Sequence, residues 1–309
     1  MEYISYGESK SNVSNIVLGM MRIDSLTPKE VEKLIDTALD EGINAFDLAD
    51  CYGGGKCEEL VGEVLSKRAD LREKMWIQSK CGIRIDTKVK FFDFSKEHIA
   101  NAVDGILKRL KIERLDSLLL HRPDVLMEPD EINDAINTLK KAGKIADFGV
   151  SNMNPMMIEL LKKGVKCPIS ANQLQLSCAF TPAFDAGFHV NMSVDKAIDR
   201  DGDIFEYCRL NDIAIQAWSS LQYGFFEGVF VGNEKFDELN RVLERIAKEQ
   251  KVTPSAVAIA WILRYPAKMQ AIIGTTKASR VKELAKASMI RLSKEEWYEI
   301  YLAAGNDLP

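Results

Sequence analysis

The sequence has little of what a metal site or a disulfide framework requires. It contains only three histidines and six cysteines in 309 residues. No two cysteines form a Cys-x-x-Cys pair, and none lies at metal-ligand spacing from a histidine. The sequence therefore predicts no metal, and unpaired cysteines are typical of a reduced, cytoplasmic setting.

Long apolar runs and an excess of positive charge are also absent. No segment approaches the roughly 20 apolar residues that cross a bilayer. The first residues, MEYISYGESK, have neither the basic nor the apolar part of a secretory signal. The formal net charge is −5 and the pI is about 5.5, whereas nucleic-acid binding needs a basic face. We expect neither a membrane nor a nucleic acid as a partner.

Two phosphate-binding motifs are missing as well. A doubly wound dinucleotide-binding sheet requires a Gly-x-Gly-x-x-Gly turn after an early strand, and the sequence has none. Gly53, Gly54 and Gly55 precede Lys56 but lack the upstream glycine of a P-loop. These absences disfavour a doubly wound sheet.

The chain does contain an alternation of short apolar segments and amphipathic segments. After a possible N-terminal hairpin, the predicted strands are Asn15–Met20, Asn44–Ala49, Met75–Cys81, Ser117–Arg122, Lys144–Ser151, Ile169–Leu176, Ala214–Ser220 and Ala271–Thr275. The predicted helices are Pro28–Glu41, Glu58–Ser66, Ser95–Leu110, Glu131–Lys141, Pro155–Lys163, Asp203–Leu210, Lys235–Gln250, Thr253–Arg264, Ser279–Ala287 and Lys294–Ala304. Eight such strand–helix units fit an α/β fold of the (β/α)8 barrel type. No repeat or low-complexity tract divides the chain, so residues 1–309 are predicted to form a single domain.

Three predicted connections are long, namely residues 82–94, 177–199 and 221–234. Each follows a strand, so each lies on the barrel face where active sites are found. They have no obvious secondary structure, yet they hold Phe91, Phe92, Phe94, Phe180, Phe184, Phe188, Tyr223, Phe225, Phe226 and Phe230. This aromatic content favours ordered pocket walls. The alternative is that more than half of the rings only pack the loops onto the barrel rim.

Four polar side chains lie at or just beyond the ends of three successive predicted strands. Asp47 is near the end of the second strand, and Tyr52 follows it on a glycine-rich turn. Lys80 is at the end of the third strand and His121 at the end of the fourth. Each has an ordinary structural explanation when taken singly, such as rim packing or a turn cap. Their joint occurrence at adjacent strand ends predicts a shared site.

These four residue types are suited to carbonyl reduction. A neighbouring ammonium such as Lys80 is expected to lower the pKa of Tyr52 from its unperturbed value near ~10. Asp47 can hold Lys80 in place and protonated, and His121 can donate a hydrogen bond to a substrate oxygen. A proton donor aimed at an oxygen that gains negative charge is what hydride transfer to a carbonyl requires. The hydride itself must come from a cofactor.

With these residues placed, the sequence resembles the aldo-keto reductase family over essentially its whole length. The matching segments are FDLADCYG, QSK, LLLHRPD, GVSN, NQLQLS, AWSSL and IIGTTKASRVKEL. The resemblance, nearest to the bacterial oxidoreductase branch, implies a (β/α)8 barrel that binds NADP(H) across its C-terminal face without a Rossmann domain. It implies that Tyr52 is the general acid, tuned by Lys80 and Asp47. His121 would then orient the carbonyl.

The same resemblance implies which residues hold the nicotinamide. Ser151, Asn152 and Gln173 would hydrogen-bond its amide group. Trp218 lies where many relatives have a ring stacked under the nicotinamide, although a core tryptophan at a strand end is an equally good explanation without the resemblance.

On the adenosine side the pattern departs from the best-studied branch of the family. Ser219 and Leu221 would contact the pyrophosphate, and Arg280 would pair with the 2′-phosphate at the start of the last barrel helix. Thr275 stands where relatives often have a basic residue, and Glu283 is followed by leucine where they have asparagine. We expect NADPH to be preferred over NADH, with Arg280 as its determinant.

Two other functions stay open at this level. One is a non-catalytic regulatory subunit that keeps the cofactor as a structural or sensory ligand. The other is a barrel aldolase in which Lys80 forms a Schiff base. The expected partner is a small carbonyl substrate, and the expected assembly is a monomer, with a homodimer as the alternative. Cys51 and Cys57, which flank Tyr52, are most simply small packing residues.

Overall fold

Eight parallel strands close into a barrel. The structure is a computed structural model and describes residues 1–85 and 87–309. In chain order the strands are β1 (Tyr3–Tyr6), β2 (Ser11–Ser14), β3 (Ile16–Gly19), β4 (Ala45–Asp47), β5 (Trp76–Cys81), β6 (Ile83–Arg84), β7 (Phe91–Phe92), β8 (Leu115–Leu120), β9 (Ile145–Ser151), β10 (Ile169–Gln175), β11 (Ala214–Trp218) and β12 (Met269–Ile273). Around the barrel the order is β3-β4-β5-β8-β9-β10-β11-β12, and β12 pairs with β3 to complete the ring. The predicted (β/α)8 fold is therefore confirmed.

Helices surround the barrel and alternate with its strands. They are α1 (Pro28–Asp40), α2 (Lys56–Lys67), α3 (Lys96–Leu110), α4 (Pro129–Lys141), α5 (Pro155–Gly164), α6 (Pro182–Phe188), α7 (Ile204–Leu210), α8 (Asp237–Gln250), α9 (Pro254–Leu263), α10 (Ala278–Ala285) and α11 (Lys294–Ala303). Local sequence fixes several of their starts. Thr27 and Glu30 form a capping box at the start of α1, and the Ser95 hydroxyl accepts a hydrogen bond from the first turn of α3.

Some predicted boundaries are shifted in the structure. The fourth barrel helix begins at Pro129 and not at Glu131, because proline fits the first helical position. The strand predicted to reach Ser220 ends at Trp218, because Ser219 has a φ of 54° and leaves the extended conformation. In both places the backbone geometry of one residue sets the boundary, which is the start of the helix in the first case and the end of the strand in the second.

The N-terminal hairpin of β1 and β2 covers the end of the barrel at which the strands begin. Tyr6 is completely buried and packs edge-on against Trp76, with ring centroids 4.6 Å apart. Its neighbours in this small cluster include Ala45, Ala171 and Ala214, which are also near strand starts. A cavity opens at the opposite end of the barrel, where the strands finish.

The long connections have more regular structure than predicted. The first contains the antiparallel pair β6 and β7, and the second contains α6. Phe94, Phe184 and Phe230 are buried, and Phe184 packs against the rings of neighbouring helices, including Trp261. Packing onto the barrel therefore accounts for several of the loop aromatics, as the alternative interpretation held.

A helix that crosses a bilayer must be both long and apolar. Across the two described stretches, 1–85 and 87–309, no helix combines the length and the apolar character that a bilayer span needs.

Candidate active site

The ammonium group of Lys80 is the centre of the site. Its Nζ donates to Asp47 Oδ2 at 2.7 Å, to the Leu48 carbonyl at 2.8 Å and to the Tyr52 hydroxyl at 3.0 Å. Lys80 is completely buried on β5, and Asp47 is 2 % exposed at the end of β4. All three protons of the ammonium are therefore engaged, and it has no lone pair for attack on a carbonyl. This geometry disfavours a Schiff-base lysine.

A glycine turn places Tyr52 over this ammonium. Gly53, Gly54 and Gly55 follow it with φ values of 57°, 64° and 95°. A run of left-handed residues is accessible to glycine at little cost and strained for other residues. The turn lets the chain reverse between Tyr52 and α2, so the hydroxyl is held against Lys80.

A network of glutamine side chains inside the barrel holds Asp47. Gln78 and Gln173 both donate from Nε2 to Asp47 Oδ1, at 2.7 and 3.0 Å. The same two Nε2 atoms donate to Gln216 Oε1, and Gln216 donates in turn to Gln270 Oε1 at 2.9 Å. Gln173, Gln216 and Gln270 lie in register on three neighbouring strands. The glutamines thus fix Oδ1 of Asp47, and Lys80 fixes Oδ2.

His121 completes the catalytic end of the cavity. It follows β8, and its amide donates to the Cys81 carbonyl at 2.9 Å, which ties it to the neighbouring strand. Its ring lies edge-on to Tyr52 with centroids 5.7 Å apart, and its Nδ1 lies 3.7 Å from Cys51 Sγ. Within residues 1–85 and 87–309 no side chain hydrogen-bonds its Nε2, which leaves this nitrogen for a ligand.

Burial dominates the electrostatics of the three titratable groups. Burial raises the pKa of Tyr52 to about 12, and the charge of Lys80 only partly counteracts it. The pKa of Tyr52 therefore lies above its ordinary value, and the expectation that Lys80 brings it below that value is not met. Burial opposes the charge of Lys80, but Asp47 and Tyr52 outweigh it and raise the lysine pKa. Burial, followed by the charge of Lys80, lowers the pKa of His121 well below its usual range, so the imidazole is neutral.

Asp50 lies between Asp47 and Tyr52 in the chain and has an unusual environment. Its amide donates to the Lys80 carbonyl at 3.0 Å, and its Oδ1 is buried with no hydrogen-bond partner among the described residues. Burial, reinforced by the charge of Glu58, raises the pKa of Asp50 to about 7. Glu58 itself is fully buried and paired with Arg109 at 2.7 Å. Asp50 is therefore the group next to the site that titrates near neutral pH.

The thiols near the site are unreactive by the same reasoning. Burial raises the pKa of Cys51 and that of Cys57 to about 11. At neutral pH such a thiol holds very little thiolate, the form that reacts with oxidants. The structure thus favours packing as the role of both residues.

A single cavity joins the predicted site residues. It has a volume of about 800 Å³ and opens at the carboxyl ends of the barrel strands. Every predicted site residue lines it except Lys80, which is buried beneath Tyr52 and Asp47. The predicted residues on its wall are Asp47, Tyr52, His121, Ser151, Asn152, Gln173, Trp218, Ser219, Leu221, Thr275, Arg280 and Glu283.

Polar groups and one aromatic ring are organised beside His121. Asn152 has a φ of 57°, and its side chain accepts from Trp218 Nε1 at 3.1 Å and donates to Ser151 Oγ at 2.7 Å. The Ser151 hydroxyl donates to the Gln173 carbonyl at 2.9 Å. These bonds fix the orientation of the Trp218 ring, which is half-buried at the cavity wall.

The other end of the cavity is formed by the loop after β12 and by α10. Thr275 is half-buried, and its Oγ1 accepts from the Lys277 amide at 3.1 Å. Arg280 and Glu283 lie one helical turn apart on α10, and both are exposed. Ser219 and Leu221 line the wall between the two ends, where Ser219 donates to a side chain of its own loop.

Sequence reasoning missed three groups of wall and support residues. Gln216 and Gln270 are single amides within otherwise apolar strands, which marks them as unusual without indicating what they contact. Gln78, in contrast, is followed by Ser79 and Lys80 and has no such signal. Arg122 follows His121 directly, so the strand-end argument that found the histidine applies to it as well. Phe92 lies on the cavity wall because β6 and β7 pair, and this pairing was not predicted.

This fold and this site define a barrel oxidoreductase: a tyrosine hydroxyl is held by a buried ammonium–carboxylate pair, and a neutral imidazole lies beside it on the wall of a long cavity. The chain belongs to the aldo/keto reductase family, whose pattern its residues 15–303 match. As a member of this family it is an NAD(P)H-dependent oxidoreductase.

Comparisons with known proteins agree on family and fold. The chain is 33 % identical over 310 residues to a 6-dehydroglucose reductase from Agrobacterium fabrum, with 97 % of each chain covered. It is similar in structure to the thermostable aldo-keto reductase Tm1743 in complex with the inhibitor epalrestat, with a TM-score of 0.77 at 25 % identity over 98 % of this chain and all of the other. An aldo-keto reductase from Klebsiella pneumoniae in complex with NADPH shares the fold, with a TM-score of 0.75 at 22 % identity over 97 % of this chain and 93 % of the other.

Proposed function

We propose that this protein reduces the carbonyl group of an aldehyde or ketone to an alcohol with NADPH, and that Tyr52 is the general acid. One observation carries the proposal: the Tyr52 hydroxyl lies 3.0 Å from the ammonium of Lys80 on the wall of the cavity. The relative named a 6-dehydroglucose reductase supports a carbonyl substrate.

The residues on the cavity wall fit a nicotinamide dinucleotide. The half-buried ring of Trp218 offers a flat apolar surface, and Ser151, Asn152 and Gln173 surround it with amide and hydroxyl groups. These are the groups that a carboxamide-bearing ring requires. Arg280 lies at the far end of the same cavity, and no carboxylate of the described residues forms an ion pair with it. A reduced nicotinamide bound here would supply the hydride.

Each residue of the catalytic end then has a defined role. The neutral His121 donates a hydrogen bond through Nε2 to the substrate oxygen, which orients the carbonyl and polarises it. Tyr52 gives its proton to that oxygen as negative charge develops. Lys80 stabilises the phenolate that remains, and Asp47 keeps Lys80 charged and immobile.

The preference for NADPH over NADH is the second part of the proposal. Arg280 would form charge-assisted hydrogen bonds with the 2′-phosphate, a group that NADH lacks. Ser219, Leu221 and Thr275 would hold the pyrophosphate and the chain that leads to it, and Glu283 would contact the adenosine.

We also propose that residues 1–309 act as one domain in the cytoplasm, as a monomer with a homodimer as the alternative. All six cysteines are free, which is in keeping with a reducing compartment. Light scattering of the purified protein would distinguish a monomer of 34.7 kDa from a dimer.

The test is NADPH consumption with a panel of aldehydes, quinones and ketones, for the wild type and for Tyr52→Phe. Loss of the phenol hydroxyl should lower kcat by roughly 100- to 10,000-fold, the usual contribution of a general acid, while NADPH still binds. Turnover that survives in Tyr52→Phe would remove the assigned acid. Tight NADPH binding with no turnover in either protein would support the regulatory alternative.

A further inference from the structure

Arg122 is a cavity residue that the proposed reaction does not use. It directly follows His121 and lies on the same cavity wall as Tyr52. Its guanidinium carbon lies 5.4 Å from the ring centroid of Trp218 and 5.6 Å from that of Phe225. Both distances are within the range of cation–π contacts, so the two rings hold the cation in the cavity.

Among the described residues, no carboxylate serves as a counter-charge for this cation. Burial lowers the pKa of Arg122, and no carboxylate acts on it in the opposite direction. In the described parts of the chain, 1–85 and 87–309, no acidic side chain forms an ion pair with it. A half-buried charge is costly unless it is paired, and stacking on two rings offsets only part of that cost.

The charges around Arg122 are unbalanced as well. Of the residues that the structure describes, Asp47 and Glu283 are the acidic ones on the cavity wall. Asp47 is already paired with Lys80, and Glu283 lies on α10 at the other end, with Arg280. Lys90 adds a second cation on the wall near the catalytic end, and its charge, like that of Arg122, acts on His121. The part of the cavity around the carbonyl position is therefore positive.

We propose that the carbonyl substrate carries a carboxylate, that Arg122 binds this carboxylate, and that Lys90 assists from the rim. This inference rests on the proposed function, because it concerns the substrate of that reaction. Arg122 and His121 line the same cavity, and the charge of Arg122 acts on the His121 imidazole. A small molecule can therefore span both, with its carbonyl at His121 and its carboxylate on the guanidinium. Phe92, Phe225 and Phe226 would enclose the apolar part between the two groups.

The experiment compares 4-carboxybenzaldehyde with its neutral methyl ester, methyl 4-formylbenzoate. The measured quantity is the ratio of kcat/KM for the acid to kcat/KM for the ester. In the wild type the acid should be preferred, and Arg122→Met should lower the ratio by about 10- to 100-fold, mostly through KM, since a charge-assisted bond is lost. Arg122→Lys should restore part of it. Arg241→Met, on the exposed face of α8, is the matched control and should leave the ratio unchanged.

The outcomes separate this inference from the proposed function. Ester reduction that depends on Tyr52, with an acid-to-ester ratio that Arg122→Met does not change, would overturn the inference and leave the reductase standing. If neither substrate turns over, calorimetric titration of the NADP⁺-saturated protein with benzoate and benzamide decides. Benzoate binding that is stronger than benzamide binding, and that Arg122→Met abolishes, supports the carboxylate site. Equal binding of the two overturns it.

Discussion

Lys80 Nζ lies 2.7 Å from Asp47 Oδ2, and the two side chains are only 0 % and 3 % exposed. A buried ion pair gains little net stability, because removing two charges from water offsets much of their attraction. Its value here is positional, since the pair fixes the ammonium under the Tyr52 hydroxyl. The pair therefore links the stability of the barrel to its proposed chemistry.

Replacing one member of this ion pair should lower the stability of the protein more, relative to what is removed, than replacing both members together. Asp47→Asn and Lys80→Met each leave one buried charge without its partner, and each should lower the free energy of unfolding by about 3–5 kcal/mol. The double variant should lose clearly less than the sum of the two. Urea denaturation of all four proteins measures this coupling. Additivity within about 0.5 kcal/mol would show that the two charges do not interact.

The rate of carbonyl reduction should depend little on pH between about pH 6 and 9. A general acid must be protonated, so activity is present below its pKa and is lost as the pH rises through it. The pKa of Tyr52 is raised to about 12 by burial, and the pKa of His121 is lowered well below its usual range. Neither group should therefore titrate in this interval. Alcohol oxidation needs the phenolate and should instead rise with pH.

A step in kcat near pH 7 would contradict this expectation unless it came from Asp50, whose pKa is about 7. Asp50→Asn separates the two cases. A step that disappears in this variant belongs to Asp50, and a step that persists would mean that His121 is not held neutral.

Arg280→Ala should weaken NADPH binding by about 10- to 100-fold and change NADH binding much less. The reason is that the charge-assisted bonds to the 2′-phosphate are lost, and NADH has no such group. Fluorescence titration with both cofactors measures the two dissociation constants. Lys282→Ala is a suitable control, because this residue is exposed on the same helix and does not line the cavity. Equal weakening of both cofactors in Arg280→Ala would refute the assignment.

Asp50→Asn should stabilise the protein at pH 8 and have little effect near pH 4. The folded-state pKa of Asp50 is about 7, above the value near ~3.9 of an unfolded chain, so the folded state binds the proton more tightly. Stability therefore falls as the pH rises from about 4 to 7, and the full cost of burying the charge is present above that. The neutral amide removes this cost, roughly 2–4 kcal/mol.

Thermal unfolding of wild type and Asp50→Asn across this pH range checks the prediction. The two melting temperatures should diverge as the pH increases. Parallel curves would mean that Asp50 titrates alike in the folded and unfolded states.

The sequence was sufficient to predict the barrel and the convergence of Asp47, Tyr52, Lys80 and His121. Strand ends can be read from apolar segments, and parallel strands in one barrel bring their ends to one face. The supporting amides could not be deduced in the same way. Gln270 joins the network through Gln216 on the neighbouring strand β11, and its own amide donates to the Ser14 carbonyl. Both contacts join residues that are far apart in the chain, and local patterns do not encode them.

The direction in which the pKa of Tyr52 shifts could not be predicted from the sequence either. The residue types Tyr52 and Lys80 indicate which charge acts on the hydroxyl. They do not indicate how far the surrounding residues exclude water, and burial proved the larger effect. Likewise, the preceding histidine gives no sign that Arg122 stacks on Trp218 and Phe225, because these rings come from distant segments.

The hydrogen bonds of the glutamine network fix which way each amide points between the Ser14 carbonyl and Asp47. The Ser14 carbonyl can only accept, so Gln270 must turn its NH₂ group toward it at 2.8 Å and present its oxygen to Gln216. Gln216 then offers its own oxygen to Gln78, whose NH₂ group consequently faces Asp47. The orientation of the Ser14 carbonyl is thus passed through three glutamine amides, so that the last of them, Gln78, donates an N–H to Asp47. Reversing any one of these amides would place two oxygen acceptors against each other. The main-chain carbonyl of Ser14 therefore determines that N–H donors, and not oxygens, face the Asp47 carboxylate.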